Sequence, residues 1–313
     1  MHPKPQHYAY NLDAALSCVV GIRSIVPRDA FSAETLGTER EGHGVVIRPD
    51  GLVLTIGYLV AEAETIWITM NDGRIFQGHV LAHDQPTGFG LVQVLAHVDF
   101  PSLKLGNSSG AEIGERVVVG GSGGRRNAIA ARIIAKQEFA GAWEYLLEEA
   151  IFTAPAHPFW GGTALIGATG ELIGVGSLQL QHEMRSGEVI DLNMMVPIDP
   201  LKPVLDDLVT LGRRPGPARP WLGIYVAKVG REVVISGLAR RGPARRADLR
   251  AGDVVLAVGG EEVSDLASLF RRIWALGEAG VEVPLSVRRN GDTFEVRVAS
   301  TDRRRLLKRP ILH

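Results

Sequence analysis

The sequence predicts a mainly β protein: an all-β barrel or sandwich, then a smaller unit that mixes strands and helices. Three observations carry this reading. Short β-branched runs recur between turn residues every ~8–12 positions through the first two thirds of the chain. The stretch GRRPGPARP, residues 212–220, holds three prolines and two glycines, which prevent regular structure and mark a linker. Charge changes sign around it: from Arg219 onward there are 18 Lys and Arg against 11 Asp and Glu, leaving 16 against 24 in the rest.

Composition bounds the answer. The 313 residues are enough for two or three domains of about 100–200 residues each. Apolar residues make up 45% and charged residues 22%, an ordinary globular mix that can bury a large core. A net charge of −1 argues against a dedicated nucleic-acid binder. The single cysteine, Cys18, excludes an intramolecular disulfide and a Cys-rich zinc site. No apolar run approaches the ~18 residues of a membrane span. The N-terminal segment lacks a basic stretch followed by an apolar one. The expectation is a cytoplasmic chain without a metal or cofactor.

Element by element, GVVIRPDGLVLTIG reads as two strands joined around Pro49-Asp50-Gly51. TIWITMNDGRIFQGHVLAHD repeats the plan, with its turn at Asn71-Asp72-Gly73. ERVVVGG, AARIIAK, TALIGATGELIGVGSL and LNMMVPI are further strands or hairpins. Cys18, in ALSCVVGI, is read as a buried, inert cysteine on an apolar strand. PLKPVLDDLVTLG reads as a helix, with Leu201, Val204, Leu205, Leu208 and Leu211 on one face and Gly212 as its stop. Beyond the linker, WLGIYVA, EVVISGL, DVVLAVGG, VPLSVRR and TFEVRVAS are strands. SDLASLFRRIWALG is an amphipathic helix capped by Ser264, with Leu266, Leu269, Phe270, Ile273, Trp274 and Leu276 as its apolar stripe. RRRLLKRPILH closes the chain as a basic, solvated tail.

The order of motifs resembles the HtrA/Deg family, a trypsin-like double six-stranded β-barrel protease followed by an α+β PDZ domain. GHGVVIRPDGLVLT resembles the strands leading to the family's histidine, and NDGRIFQGHVLAHDQPTGFGLVQV the stretch carrying its aspartate. HPFWGGTALIGATGELIGV resembles the nucleophile loop, and GPARRADLRAGDVVLAVGGEEV a PDZ signature. The resemblance implies a protease-like domain over 1–211, the linker at 212–220, a PDZ domain over 221–300 and the tail at 301–313.

The chemistry does not carry over with the fold. Where the family has L-T-N-x-H-V-V this chain reads LTIGYLV, so Tyr58 stands at the histidine position. Where the family has D-x-x-T-D-L-A-V it reads DQPTGFGLV, so Gly88 stands at the aspartate position. Where the family has N-P-G-N-S-G-G-P-L it reads HPFWGGTAL, so Gly161 stands at the serine position and Phe159 replaces an oxyanion-hole glycine. Glycine has no nucleophile, and a phenol titrating near ~10 is a poor base at neutral pH. Phe159, Trp160 and Tyr58 are candidates to fill the former cleft. Thr163 with His157, Ser122 in GGSGG, and His43 are the groups nearest to an alternative constellation. His79 and His83, four apart on a strand and its exit, are polar hairpin positions rather than a helical metal pair.

The resemblance leaves the PDZ features intact. A PDZ domain holds a peptide's C-terminal carboxylate on backbone N–H groups and adds the peptide as a strand at a sheet edge. Here that loop and edge correspond to Trp221, Leu222, Gly223, Ile224, Tyr225 and Val226, with the helix from Leu266 to Trp274 as the other wall. The groove is either open to a partner or filled by the chain's own tail or by the barrel domain. The resulting expectation is a catalytically inactive homologue that acts as a peptide-binding scaffold or complex subunit. Its partners are protein or peptide C-termini. A homo-oligomer, most simply a trimer built through Tyr8 and Tyr10, is implied by the family. The alternative is an active serine endopeptidase with a non-standard site. Gly223→Val is expected to abolish carboxylate capture without unfolding the domain.

Overall fold

A computed structural model describes residues 2–183 and 187–308. It divides into two compact units. The first comprises Met1–Gln137, Glu149–Pro215 and the chain from Lys308. The second comprises Glu138–Glu148 and Gly216–Leu307.

The first unit opens with helix α1 (Leu12–Ser17), capped by the Asn11 side chain accepting from the Ala14 N–H. Cys18 follows as its C-cap rather than lying on a strand. Its thiol is buried, donates to the Ala14 carbonyl at 3.4 Å, and is pushed up to about 11 by burial. Strands β1 (Val19–Ile25) and β2 (Glu39–Arg48) flank a short helix, α2 (Ala33–Leu36). β3 (Leu52–Ile56) leads into α3 (Gly57–Val60), and β4 (Thr65–Thr69), β5 (Ile75–Asp84) and β6 (Phe89–Val94) complete a closed barrel. Its order is β1-β2-β3-β6-β5-β4, with β1 also paired to β4.

Turn chemistry sets the first barrel's register. At Gly51, φ is +85°, and a Cβ there would meet Val94 at 2.9 Å and Phe100 at 3.0 Å, so only glycine fits. Asp50 accepts from the Leu52 N–H and Asp72 from the Arg74 N–H, the Asx geometry that favours these residues in turns. Val20, Leu54, Ile68 and Val92 are fully buried. Each such side chain contributes about 1.5–3 kcal/mol relative to leaving it in water.

The second barrel uses β7 (Arg116–Gly120), β8 (Ala128–Gly141), β9 (Tyr145–Ala154), β10 (Ala164–Ile166), β11 (Leu172–Glu183) and β12 (Val189–Pro197). It closes in the order β10-β11-β12-β9-β8-β7 through β7–β10 pairing. Val117, Val119, Ile133, Ile151, Leu165 and Met195 form its core. The predicted helix after it is divided. Pro200 and Pro203 hold Asp199–Val204 in a 3-10 turn, and only α4 (Leu205–Leu211) is α-helical, ended by Gly212 at φ +67°.

In the second unit, β13 (Ile224–Val229), β14 (Glu232–Leu238), α5 (Pro243–Arg246), β15 (Val254–Val258), β16 (Glu261–Glu262), α6 (Leu266–Ala275), β17 (Glu282–Arg289) and β18 (Asp292–Ala299) follow in sequence. The sheet runs β13-β14-β15-β17-β18, with β16 on β15, so β13 lies at its edge. α6 buries Ala267, Leu269, Phe270 and Ile273 against that sheet's core, while Leu276, expected in the stripe, is 37% exposed at the C-cap. Its N-cap is Asp265, not Ser264: Asp265 and Ser268 form a reciprocal capping box, and the Ser264 N–H donates to Ser268 Oγ. The basic tail is anchored as far as it is described. Residues Arg303–Arg305 form a 3-10 turn capped by Asp302, and the Lys308 N–H donates to Glu62. The rest of the tail, 309–313, lies outside the described residues.

Candidate functional site

Tyr58 and Gly161, two of the three positions where the resemblance places the family's catalytic side chains, meet in the first unit. Tyr58 lies on α3 and Gly161 in the loop before β10. The Tyr58 hydroxyl donates to the Ser177 carbonyl at 2.9 Å. A Cβ built on Gly161 would sit 2.8 Å from that hydroxyl oxygen. The phenol therefore occupies the space into which a side chain at residue 161 would project. Burial raises the Tyr58 hydroxyl above its ordinary value, which removes it further from service as a base.

Gly88 lies in a tight turn. Its φ is +82°, its N–H donates to the Asp84 carbonyl at 2.7 Å, and its carbonyl accepts from the Gly57 N–H at 2.6 Å. An L side chain is strained at that φ, so the turn is built around glycine. Asp84, at its start, is 3% exposed. Burial opposes its charge, but hydrogen bonds from Arg214 and Thr87 outweigh this and hold the carboxyl below its usual range.

Most of the neighbouring polar groups are held in hydrogen bonds, while His43 Nε2 is buried with no partner among the described residues. The Phe159 N–H, at the oxyanion-hole position, donates to His157 Nδ1 at 3.1 Å. His157 Nε2 donates to the Asn127 carbonyl at 3.0 Å, and Asn193 brackets the His157 backbone through both its amide atoms. This fixes His157 as a neutral imidazole, and burial lowers its pKa. Thr163 is buried and donates to the Trp160 carbonyl at 2.9 Å, so it does not face His157 as a nucleophile. The Phe159 side chain is 67% exposed and does not fill the cleft, which is occupied by Tyr58. His43, on β2, accepts the Ser122 N–H at Nδ1 at 3.1 Å, and Ser122 Oγ lies 3.1 Å from the same nitrogen. Burial first, then the neighbouring His157, pushes His43 down to about 4. His79 and His83 both lie on β5. Among the described residues no three His, Cys, Asp or Glu side chains converge as a cation site requires.

Ahead of β13 the second unit presents the stretch expected to bind a peptide carboxylate. Trp221 is buried and pairs with Thr301 through both backbone bonds. Gly223, at φ +78°, turns the chain so that the N–H groups of Leu222, Gly223 and Ile224 converge. They converge on Glu144. Its carboxylate accepts from Gly223 at 2.7 Å, from Ile224 at 3.1 Å and from Leu222 at 3.1 Å. The next donor along the edge strand, the Val226 N–H, is bonded to the Ala142 carbonyl at 3.0 Å. Leu222, Ile224 and Val226 are fully buried members of the core, and Tyr225 is half-buried. The segment that takes these donors, residues 138–148, is neither the tail nor part of the first compact unit.

These folds have known counterparts. A family profile described as a trypsin-like peptidase domain matches residues 42–175, and one described as a PDZ domain matches 220–299. A probable periplasmic serine endoprotease, DegP-like, from Halomonas elongata is 31% identical over 274 residues, covering 83% of this chain and 56% of that protein. The chain carries an HtrA/DegP-family trypsin-like protease domain and one PDZ domain. A DegP-like relative from Pseudomonas fulva is 27% identical, covering 84% of this chain and 57% of the relative. The chain thus spans just over half the length of these curated relatives. Among solved structures, the HtrA-type protease AlgW with decapeptide matches at TM-score 0.56 and 21% identity, covering 96% of this chain and 99% of that one. The serine endoprotease from Yersinia pestis matches at TM-score 0.54 and 21% identity, over 94% and 98%. These two establish the shared HtrA fold.

The relatives correct one expectation. They are named periplasmic, which points to an extracytoplasmic location and overturns the cytoplasmic assignment drawn from the missing leader pattern. No described helix is long and apolar enough to cross a membrane. Glu144 is the site residue that sequence reasoning missed. Nothing local in FAGAWEYL announces that its carboxylate meets N–H groups 78–80 residues away.

Proposed function

We propose that this HtrA-family chain has lost serine-protease catalysis and serves as a peptide-binding scaffold or complex subunit through its PDZ domain. The observation that carries the first half is the Tyr58 hydroxyl standing 2.8 Å from the Cβ position of Gly161. The nucleophile is absent, and its space is held by a group that cannot take its proton at neutral pH. Loss of such a triad costs on the order of 10⁶ in turnover. The oxyanion-hole N–H at Phe159 is also committed, to His157. The relatives are named endoproteases, so catalysis is the property in which this chain departs from them.

The second half rests on the three convergent N–H groups at Leu222, Gly223 and Ile224 and on the edge position of β13. Trp221, Tyr225 and Val226 complete the proposed peptide-binding stretch. The partner class is a polypeptide C-terminus with an apolar last residue, since the donors select a carboxylate and the flanking side chains are apolar.

Incubation with a fluorophosphonate probe and with unfolded casein tests the loss of catalysis. Neither labelling nor cleavage is expected, and Gly161→Ser alone should restore neither. One observation favours the endopeptidase alternative: Ser122 Oγ lies 3.1 Å from His43 Nδ1. Labelling that disappears in Ser122→Ala would establish that reading and overturn the inactive one.

A further inference from the structure

Residues 138–148 form the tip of the β8–β9 hairpin, and they belong to the same compact unit as the PDZ fold. Two features of the tip oppose its conformation. Glu144 has φ +60°, a left-handed conformation that residues with a side chain adopt at a cost. Its carboxylate is also buried, with the residue only 3% exposed, and burial without partners strongly disfavours a charged group. A glycine or asparagine at this turn position would relieve both penalties. The compensation is the set of three N–H donors at 222–224, a geometry that recognises a carboxylate and little else.

The contact extends beyond one side chain. The Ala142 carbonyl takes the Val226 N–H, which is the first strand-type bond along the edge of β13. Ala140 packs on the PDZ core. From α6, the groove's other wall, Arg271 bonds both Glu138, before the tip, and Glu148, after it, the latter at 2.6 Å. Trp143 stacks on Tyr145 at 5.6 Å, which stiffens the turn that presents Glu144. Carboxylate loop, edge strand and helix wall are therefore all engaged by the same eleven residues, Glu138–Glu148.

We propose that this hairpin is a built-in occupant of the groove: Glu144 stands where a partner's C-terminal carboxylate binds, and such a partner binds by expelling it. This rests on the peptide-binding reading of the loop. The partner is a polypeptide with a free, unstructured C-terminus, because the α-carboxylate of such an end offers the N–H groups the same two acceptor oxygens without a left-handed turn. A tethered competitor acts at an effective concentration of roughly millimolar, so it weakens the apparent affinity of any soluble peptide.

The test uses the full chain and two probes, a fluorescein-labelled decapeptide ending in a free valine carboxylate and its C-terminally amidated copy. Glu144→Gly deletes the carboxylate but suits the left-handed turn, so the hairpin is retained. Arg271→Ala loosens the hairpin from α6 without touching the loop. Both variants are expected to bind the free-acid peptide at least tenfold tighter than the unaltered chain, and the amide should bind none of them measurably. Without peptide, the amides of Leu222, Gly223 and Ile224 should exchange hydrogen at least tenfold faster in Glu144→Gly. Equal affinities for the unaltered chain and the variants, with the amide still rejected, would overturn the occupant and leave the peptide-binding function standing. No binding of the free acid by any form would overturn that function and the displacement with it. Unchanged exchange rates in Glu144→Gly would overturn the occupant independently of any peptide.

Discussion

At the scale of single residues, two buried titratable groups, His43 and Glu144, have opposite pH consequences. His43 is held at about 4 by burial and by His157. Its folded-state value lies below the unfolded value of about 6.5, so stability is fullest above 6.5 and falls as pH drops toward 4. Protonating it also sets a ring N–H against the Ser122 N–H. The expected loss is ~2 kcal/mol, measured by urea unfolding at pH 7, 5.5 and 4.5. His43→Asn keeps an acceptor for Ser122 and should flatten that dependence. An equally steep profile in the variant would assign the loss elsewhere. Glu144 shifts the other way. Burial pushes it up to about 7, against the three N–H donors and the charge of Arg303, which lower it. Protons therefore favour the state in which it is buried over one in which it is expelled and titrates near 4.5. Occupancy of the groove by Glu144 should weaken as pH rises from 5 to 7.5. In the unaltered chain without peptide, protection of the Leu222, Gly223 and Ile224 amides against hydrogen exchange, corrected for the intrinsic pH dependence of exchange, should fall across that window, and Glu144→Gly should show no such fall.

At the scale of elements, the carboxylate loop depends on one glycine more heavily than its sequence context implies. From sequence, Gly223→Val is expected to block capture while leaving the domain folded. The structure places Gly223 at φ +78°, with a new Cβ 2.9 Å from Gly242 Cα and 3.2 Å from Ala239 Cβ. A β-branched side chain there strains the backbone and collides with the chain before α5. The expected cost is ~2–4 kcal/mol, read as a lowered denaturation midpoint of the second unit. An unchanged midpoint would show that the loop shifts freely. The helix α6 was legible as a stripe and a cap, though its cap moved by one residue to Asp265. Strand β9 was not legible. Its pattern is interrupted by exposed Glu148 and Glu149 between two buried runs, which breaks the alternation that identifies a half-buried strand. α1 was missed because six residues are too few for a helical period to show.

At the scale of the whole molecule, assembly is the open property that Tyr8 and Tyr10 bear on. Their rings lie 5.5 Å apart, and Tyr10 packs onto Gly170, where a Cβ would come within 2.5 Å of its ring. The Tyr10 hydroxyl is buried with no hydrogen-bond partner among the described residues. A trimer is expected. Light scattering at micromolar concentration should return three times the 33.8 kDa of one chain, and removal of residues 1–12 should dissociate it. A 33.8 kDa particle would overturn the expectation.

The sequence by itself determined the division into a β-rich unit and a smaller mixed one, most of the hairpins, and which residues, Tyr58, Gly88 and Gly161, stand where the resemblance places the family's catalytic side chains. Such information is local: turn residues, alternation and missing functional groups are readable within a few positions. Only the tertiary structure decided what stands beside Gly161 and what meets the N–H groups at 222–224. Tyr58 meets Ser177 across 119 residues of chain, and Glu144 meets the loop at 222–224 across 78–80. Barrel closure through β1 with β4 and β7 with β10 is of the same kind. These contacts join segments whose local patterns carry no mark of each other. They form because closing the barrels and packing the PDZ core bring the segments together, and the gain of that packing offsets the entropy of ordering the intervening chain.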